Sequence, residues 1–215
     1  MVFFKQVKSI KIYPSGWPFV ALAGMVGFLI GSILNAPILF MSSLMAVGIY
    51  FFRIRMPIIS KNYGIMTAPV SGKVSHVEKI NSPDNLPIPP QQYLKIGITC
   101  GSLCSASIHS PTSIKILNKQ KVKDASFRKI LIKATTQNLP QNKVSEELLL
   151  VFSSAIPHWF PECDVEVNDT LSQGQIFGFL TFGRQVDLYV PTHFWSSHVV
   201  NQTCIAGETI IARGG

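Results

Sequence analysis

Between Lys11 and Arg53 the chain carries no charged side chain, and apolar residues dominate the run. At about 1.5 Å of rise per helical residue, roughly forty residues are too many for one comfortable membrane span and just enough for two short ones. A break is therefore required. Asn35-Ala36-Pro37 supplies it, because asparagine favours a turn and proline lacks a backbone donor and biases its predecessor away from the helix. The pattern predicts a transmembrane helical hairpin, with helices over about 18–34 and 38–52, inside a membrane anchor of residues 1–55. Gly24, Gly27 and Gly31 recur along the first helix. Small residues there either permit close helix approach or are simply tolerated in an apolar helix, and both readings stay open.

From about Met66 the pattern changes to short stretches of β-branched and alternating apolar residues, punctuated by glycine, proline and polar turns. That reads as strands, so residues 56–215 are predicted to form a mostly β domain. Asn81-Ser82-Pro83-Asp84-Asn85, followed by Pro87, Pro89 and Pro90, reads as a loop. Lys115 to Lys133 is polar and weakly periodic, with the basic character of a solvated face.

One internal similarity stands out near the C-terminus. Val167-Asn168-Asp169-Thr170-Leu171-Ser172-Gln173-Gly174-Gln175 matches Val200-Asn201-Gln202-Thr203-Cys204-Ile205-Ala206-Gly207-Glu208, with Val, Asn, Thr and Gly in register. Each copy reads as a turn, a tight glycine bend and an apolar strand, Ile176 to Leu180 or Thr209 to Ala212. Two such units suggest a pseudo-symmetric sandwich or barrel that buries the two strands together.

Composition sharpens the picture. The hydrophobic fraction is 47% and only 14% of residues are charged, with a mean hydropathy of +0.30; the excess lies in the charge-free run, as membrane insertion requires. The net charge of +8 comes from scattered Lys and Arg. Such a surface suits membrane lipids with anionic headgroups, and no nucleic-acid motif is present. Lys5, Lys8 and Lys11 precede the hairpin while Arg53, Arg55 and Lys61 follow it. The positive-inside rule then puts both ends, and the β domain, on the cytoplasmic side of the cytoplasmic membrane. A cleaved signal peptide competes with this reading, but the run is overlong and lacks a small-residue cleavage site.

Cys100, Cys104, Cys163 and Cys204 lack the paired spacing of a zinc site and read as reduced structural thiols. His76, His109, His158, His193 and His198 are dispersed and fit no metal-binding array, so each reads as a surface or packing histidine.

Several stretches taken together carry a resemblance: Tyr50-Phe51-Phe52-Arg53, Ala68-Pro69-Val70-Ser71-Gly72-Lys73-Val74, the run from Gly174 to Pro191, and Ala206-Gly207-Glu208-Thr209. In order and spacing they resemble the short, membrane-bound form of the phosphatidylserine decarboxylase family. The resemblance is strong from Gly174 to Ala212, moderate from Phe51 to Val74 and poor from Gln91 to Phe160. It implies a proenzyme that cuts itself before the serine of an F-G-S motif. The serine oxygen attacks the preceding carbonyl, and elimination and hydrolysis leave a pyruvoyl ketone that serves as electron sink for decarboxylation.

Here the residue after Phe182-Gly183 is Arg184. A guanidinium has no oxygen nucleophile, so the junction Gly183-Arg184 cannot yield a pyruvoyl group, and no cofactor is expected. The family's S-P-A-D-G aspartate, which supports a histidine base, falls on Ser71. The D-V-H histidine falls on Ala106 by collinear placement, with His109 the alternative if the register is shifted. The family's upstream arginine pair is replaced near Trp159-Phe160.

The resemblance with these substitutions implies a non-catalytic pseudoenzyme, a membrane protein that pairs with an active paralogue, forms a homo-oligomer or holds lipid. Two alternatives are an active decarboxylase making phosphatidylethanolamine, with self-processing at Gly31-Ser32 or Gly101-Ser102, and a biotinyl- or lipoyl-like structural adaptor.

Overall fold

The computed structural model describes residues 12, 14–52, 64–82, 88–101, 107–123, 128–137, 146–154, 161–180 and 184–214. The chain divides into two compact units, Met1–Met56 and Pro57–Gly215.

The first unit is a helical hairpin. A short 3-10 turn, Pro14–Gly16, leads into α1 (Trp17–Ile33), which carries a proline in its first turn where the missing N–H costs nothing. After the turn at Asn35, whose φ is 55°, comes α2 (Pro37–Phe52). Val20, Gly24, Gly27 and Gly31 are the buried residues of α1. A Cβ at Gly27 would meet the backbone of Phe40 and Met41, and one at Gly31 the backbone of Ala36 and Pro37. The glycine stripe is thus the packing face. The expected transmembrane span needs correction: among the described residues no helix is long and apolar enough to cross a membrane. Seventeen residues at 1.5 Å each reach about 25 Å, short of a hydrocarbon core of about 30 Å.

The second unit is built from β1 (Ile65–Thr67), β2 (Gly72–Asn81), β3 (Gln92–Cys100), β4 (Ser107–His109), β5 (Ile114–Lys123), β6 (Arg128–Thr136) and β7 (Glu147–Ser154). It continues with β8 (Glu162–Cys163), β9 (Thr170–Leu171), β10 (Ile176–Phe179), β11 (Arg184–Pro191), β12 (Phe194–Trp195), β13 (Thr203–Cys204) and β14 (Ile210–Gly214). A curled, eight-stranded sheet runs in the order β13-β2-β3-β11-β7-β6-β5-β9, beside three-stranded sheets β1-β14-β12 and β4-β10-β8. The weakly periodic stretch around Lys115 to Lys133 is the β5–β6 hairpin, with a bulge between Ile116 and Asn118 that interrupts its alternation.

Val186, Leu188 and Val190 of β11 share one face with Ile96 and Ile98 of β3 and Leu148, Leu150 and Phe152 of β7, all fully buried. Phe152 meets Phe177 of β10 edge to face at 6.0 Å, joining this core to a small sheet. The opposite face carries a second cluster of Tyr93, Leu131, Leu149, Val151 and Tyr189 with Ile88. Strands buried on both faces show continuous apolar runs, as in Leu148-Leu149-Leu150-Val151-Phe152.

The repeat is real in three dimensions. Asn168 and Asn201 have φ of 77° and 73°, and Gly174 and Gly207 both have φ of 72°. These left-handed positions explain why the two copies keep Asn and Gly. Asn168 N–H donates to Ile116 and Asn201 N–H to Val74; Gly174 N–H donates to Ser110 and Gly207 N–H to Ala68. Between the halves, Thr67 N–H donates to the Pro111 carbonyl and His109 N–H to the Pro69 carbonyl, both at 2.8 Å. This reciprocal exchange marks a pseudo-twofold axis relating Ala68-Pro69 to Ser110-Pro111. The strands that follow the two copies, β10 and β14, lie in separate sheets and do not pair with each other.

Candidate functional site

The antiparallel ladder brings several strand ends to one end of the large sheet. Arg184, the first residue of β11, pairs with Cys100 at the end of β3 and Ser154 at the end of β7, and Ser154 pairs in turn with Arg128. In the next row Gln185 pairs with Thr99, which pairs with Lys73. Ser71 immediately precedes β2 at this same end. Two positions singled out from the sequence, Ser71 and Arg184, are therefore brought to one end of the sheet. Ala106, Gly183 and Trp159-Phe160 lie outside the described residues.

Ser71 is half-buried, and its Oγ accepts the N–H of Ala206 at 3.0 Å. It ties the second repeat turn to the start of β2. The adjacent Gly72 is required by close packing, since a Cβ there would run into the Thr99 carbonyl.

His109 sits on β4, opposite Ile176 of β10, and is 1% exposed. Its Nδ1 lies 3.1 Å from the Gly174 carbonyl and its Nε2 lies 2.9 Å from Ser107 Oγ. A carbonyl can only accept, so Nδ1 carries the proton and Nε2 accepts from the serine hydroxyl. Burial holds the imidazole's pKa below its ordinary value, partly offset by the Gly174 bond and the Glu208 charge. Both ring nitrogens are committed, which suits a neutral histidine tying β4 to the glycine bend of the first repeat copy.

A second polar cluster escapes sequence reasoning. Ser75, the extra residue of a bulge in β2, places Oγ 3.0 Å from His76 Nδ1. His76 Nε2 lies 3.4 Å from Asp187 Oδ1, an ion-pair contact without hydrogen-bond alignment, and Gln185 Nε2 donates to the same oxygen at 2.9 Å. His76, Gly97 and Asp187 form one row across β2, β3 and β11. No local spacing signals this cluster, because only the strand register creates it.

Cys100, Cys163 and Cys204 are buried. Burial pushes Cys163 up to about 12, only partly opposed by Lys119, which is far from a reactive thiolate. Cys204 Sγ instead lies 3.8 Å from the Val70 carbonyl and 3.6 Å from that of Gly72, inside the second repeat.

The fold and these positions define a mostly β protein with a twofold repeat and one sheet end that gathers Ser71 and Arg184. The family model described as phosphatidylserine decarboxylase matches residues 61–212. The chain belongs to the phosphatidylserine decarboxylase family. No solved structure matches it.

Proposed function

We propose that this chain is a non-catalytic member of its family, retained as a lipid-associated or partner-binding membrane protein. The observation that carries the reading is Arg184 at the head of β11, in the position of the family's cleavage serine. The pyruvoyl group is made from that serine's own atoms. An arginine supplies no hydroxyl, so the residue present does not fit the group.

Two further features support the reading. Ser71 replaces the family's aspartate with a neutral hydroxyl, which is used to hold the Ala206 N–H. His109, the alternative family histidine, has both nitrogens committed to Gly174 and Ser107. An active decarboxylase would have to free that imidazole and find another hydroxyl.

The helical hairpin serves in this reading as an anchor seated in one leaflet without crossing the bilayer, with the β unit on the cytoplasmic side. Met25, Leu29, Ile33, Ile38 and Leu39 are all exposed, Ile33 at 82%, on helices that carry no charge. Water is a poor solvent for that surface and the bilayer interior a good one. A homo-oligomer or an active paralogue is the partner class consistent with a retained scaffold.

The test is to incubate the purified full chain with phosphatidylserine vesicles and follow phosphatidylethanolamine. No product is expected. Product formation at a rate that scales with the chain's concentration would overturn the reading.

A further inference from the structure

The register of the large sheet sorts its charges by position. The end row holds Cys100, Arg184, Ser154, Arg128 and Lys123, and the next holds Lys73, Thr99, Gln185, Ser153, Lys129 and Val122. Five cationic residues stand in these two rows, with no carboxylate in either. The acidic residues of the same strands lie farther along the ladder: Asp187 in the row of His76, Glu78 opposite Lys95, and Glu147 opposite Thr135. Six strands at about 4.8 Å spacing make this rim about 24 Å wide.

From this we infer that the cationic rim formed by the ends of β2, β11, β6 and β5 docks on the surface of an anionic bilayer. The inference rests on the lipid-associated reading of the chain, and does not depend on its lack of catalysis.

Three observations favour a bilayer as the occupant. Phosphate headgroups present a plane of negative charge, and basic residues held near it each contribute to attraction within a Debye length. Lys121, Val122 and Lys123 at the hairpin end are all exposed, Val122 at 39%, so this strand end carries an apolar side chain on one face and ammonium groups on the other. That pairing matches the apolar–polar boundary of a membrane. The two rows contain no aromatic residue on which a nucleobase could stack, which disfavours single-stranded nucleic acid.

The experiment compares binding of the purified full chain to neutral phosphatidylcholine vesicles and to vesicles that also contain phosphatidylglycerol. The apolar helices meet both alike, so the ratio of affinities isolates charge. Phosphatidylglycerol also keeps recognition of a serine headgroup out of the measurement. The combined variant Lys73→Gln, Lys123→Gln, Lys129→Gln is expected to lower the ratio by about fivefold per cation, well over tenfold in all. Lys79→Gln, on β2 away from the rim, is expected to leave the ratio unchanged.

Thermal melts check folding, and Lys123→Glu, at an exposed hairpin end, gives the same reading should the triple variant unfold. A ratio retained in the variants, an equal loss from Lys79→Gln, no preference for phosphatidylglycerol, or tighter salt-sensitive binding to an RNA oligomer would each overturn the inference. Phosphatidylethanolamine production would sink the non-catalytic reading while leaving this ratio intact, so the two failures are distinguishable.

Discussion

His76 reaches Asp187 across the bare Cα of Gly97, with Nε2 3.4 Å from Oδ1. The three residues occupy one row of adjacent strands, and a Cβ on the middle one would collide with the imidazole. Gly97 is therefore a packing requirement of the His76–Asp187 contact.

Glycine inside a strand is ordinarily less stable than alanine by about 0.5–1 kcal/mol. Here the sign should reverse. Gly97→Ala is expected to destabilise the chain by about 1–3 kcal/mol through overpacking against the ring. In a His76→Ala background the same change should be neutral or stabilising. Denaturant melts of the four variants give the coupling directly, and additive effects would show that the ring does not need the space.

The His109 pocket makes a pH prediction. Its folded pKa lies below the model-peptide value of 6.5, chiefly because of burial. The unfolded chain therefore binds more protons between the two values, and stability rises with pH in that window. The contribution is complete above pH 6.5 and is lost as pH falls through the lowered folded value. His109→Gln should be less stable at pH 8, because Ser107 or the Gly174 carbonyl loses its partner, at a cost of about 1–3 kcal/mol. Its stability should fall less steeply than the parent's between pH 7 and pH 5. Parallel slopes would contradict the assignment.

In the helical hairpin, an ideal Cβ at Gly48 would lie 3.7 Å from the Val20 Cβ. That separation falls within the disulfide range of about 3.5–4.5 Å. Val20→Cys combined with Gly48→Cys should cross-link under mild oxidation, seen as a mobility shift that reductant reverses. Gly27→Val added to the pair should abolish the link, because the new side chain meets backbone that cannot move aside.

What could be read from the sequence follows from where the physics is local. The helices and their turn are legible because the absence of charge and the Asn35-Ala36-Pro37 break act within a few residues. The repeat is legible because a left-handed backbone selects Asn or Gly wherever it occurs. The strands β5 to β7 are harder: a bulge breaks the alternation of β5, and burial of both faces erases that of β7. The His76–Asp187 contact and the tie from His109 to Gly174 join residues far apart in sequence, so only the fold brings them together. The helix bounds agree with the sequence to within a residue, but helices of 17 and 16 residues reach only about 25 Å against a hydrocarbon core of about 30 Å.

Arg184→Ser should not by itself restore decarboxylation. A hydroxyl is necessary for self-cleavage, but Ser71 still offers no carboxylate, and general-base assistance is commonly worth about 10²- to 10⁴-fold. Adding Ser71→Asp and Ala106→His should increase cleavage more than the single change, with strongly non-additive effects. Chain cleavage by mass spectrometry across this series is the measurement. Rapid cleavage by Arg184→Ser alone would show that the remaining machinery is intact.

The most direct test of the non-catalytic reading is the intact mass of the purified chain under denaturing conditions, combined with a carbonyl-reactive probe. A self-processing proenzyme must yield two pieces, the C-terminal one beginning with a ketone in place of an amine. The expected result is one chain near 23.7 kDa with no probe incorporated. A C-terminal fragment beginning at residue 102, blocked at its N-terminus and labelled by the probe, or any fragment beginning at residue 184, would contradict it.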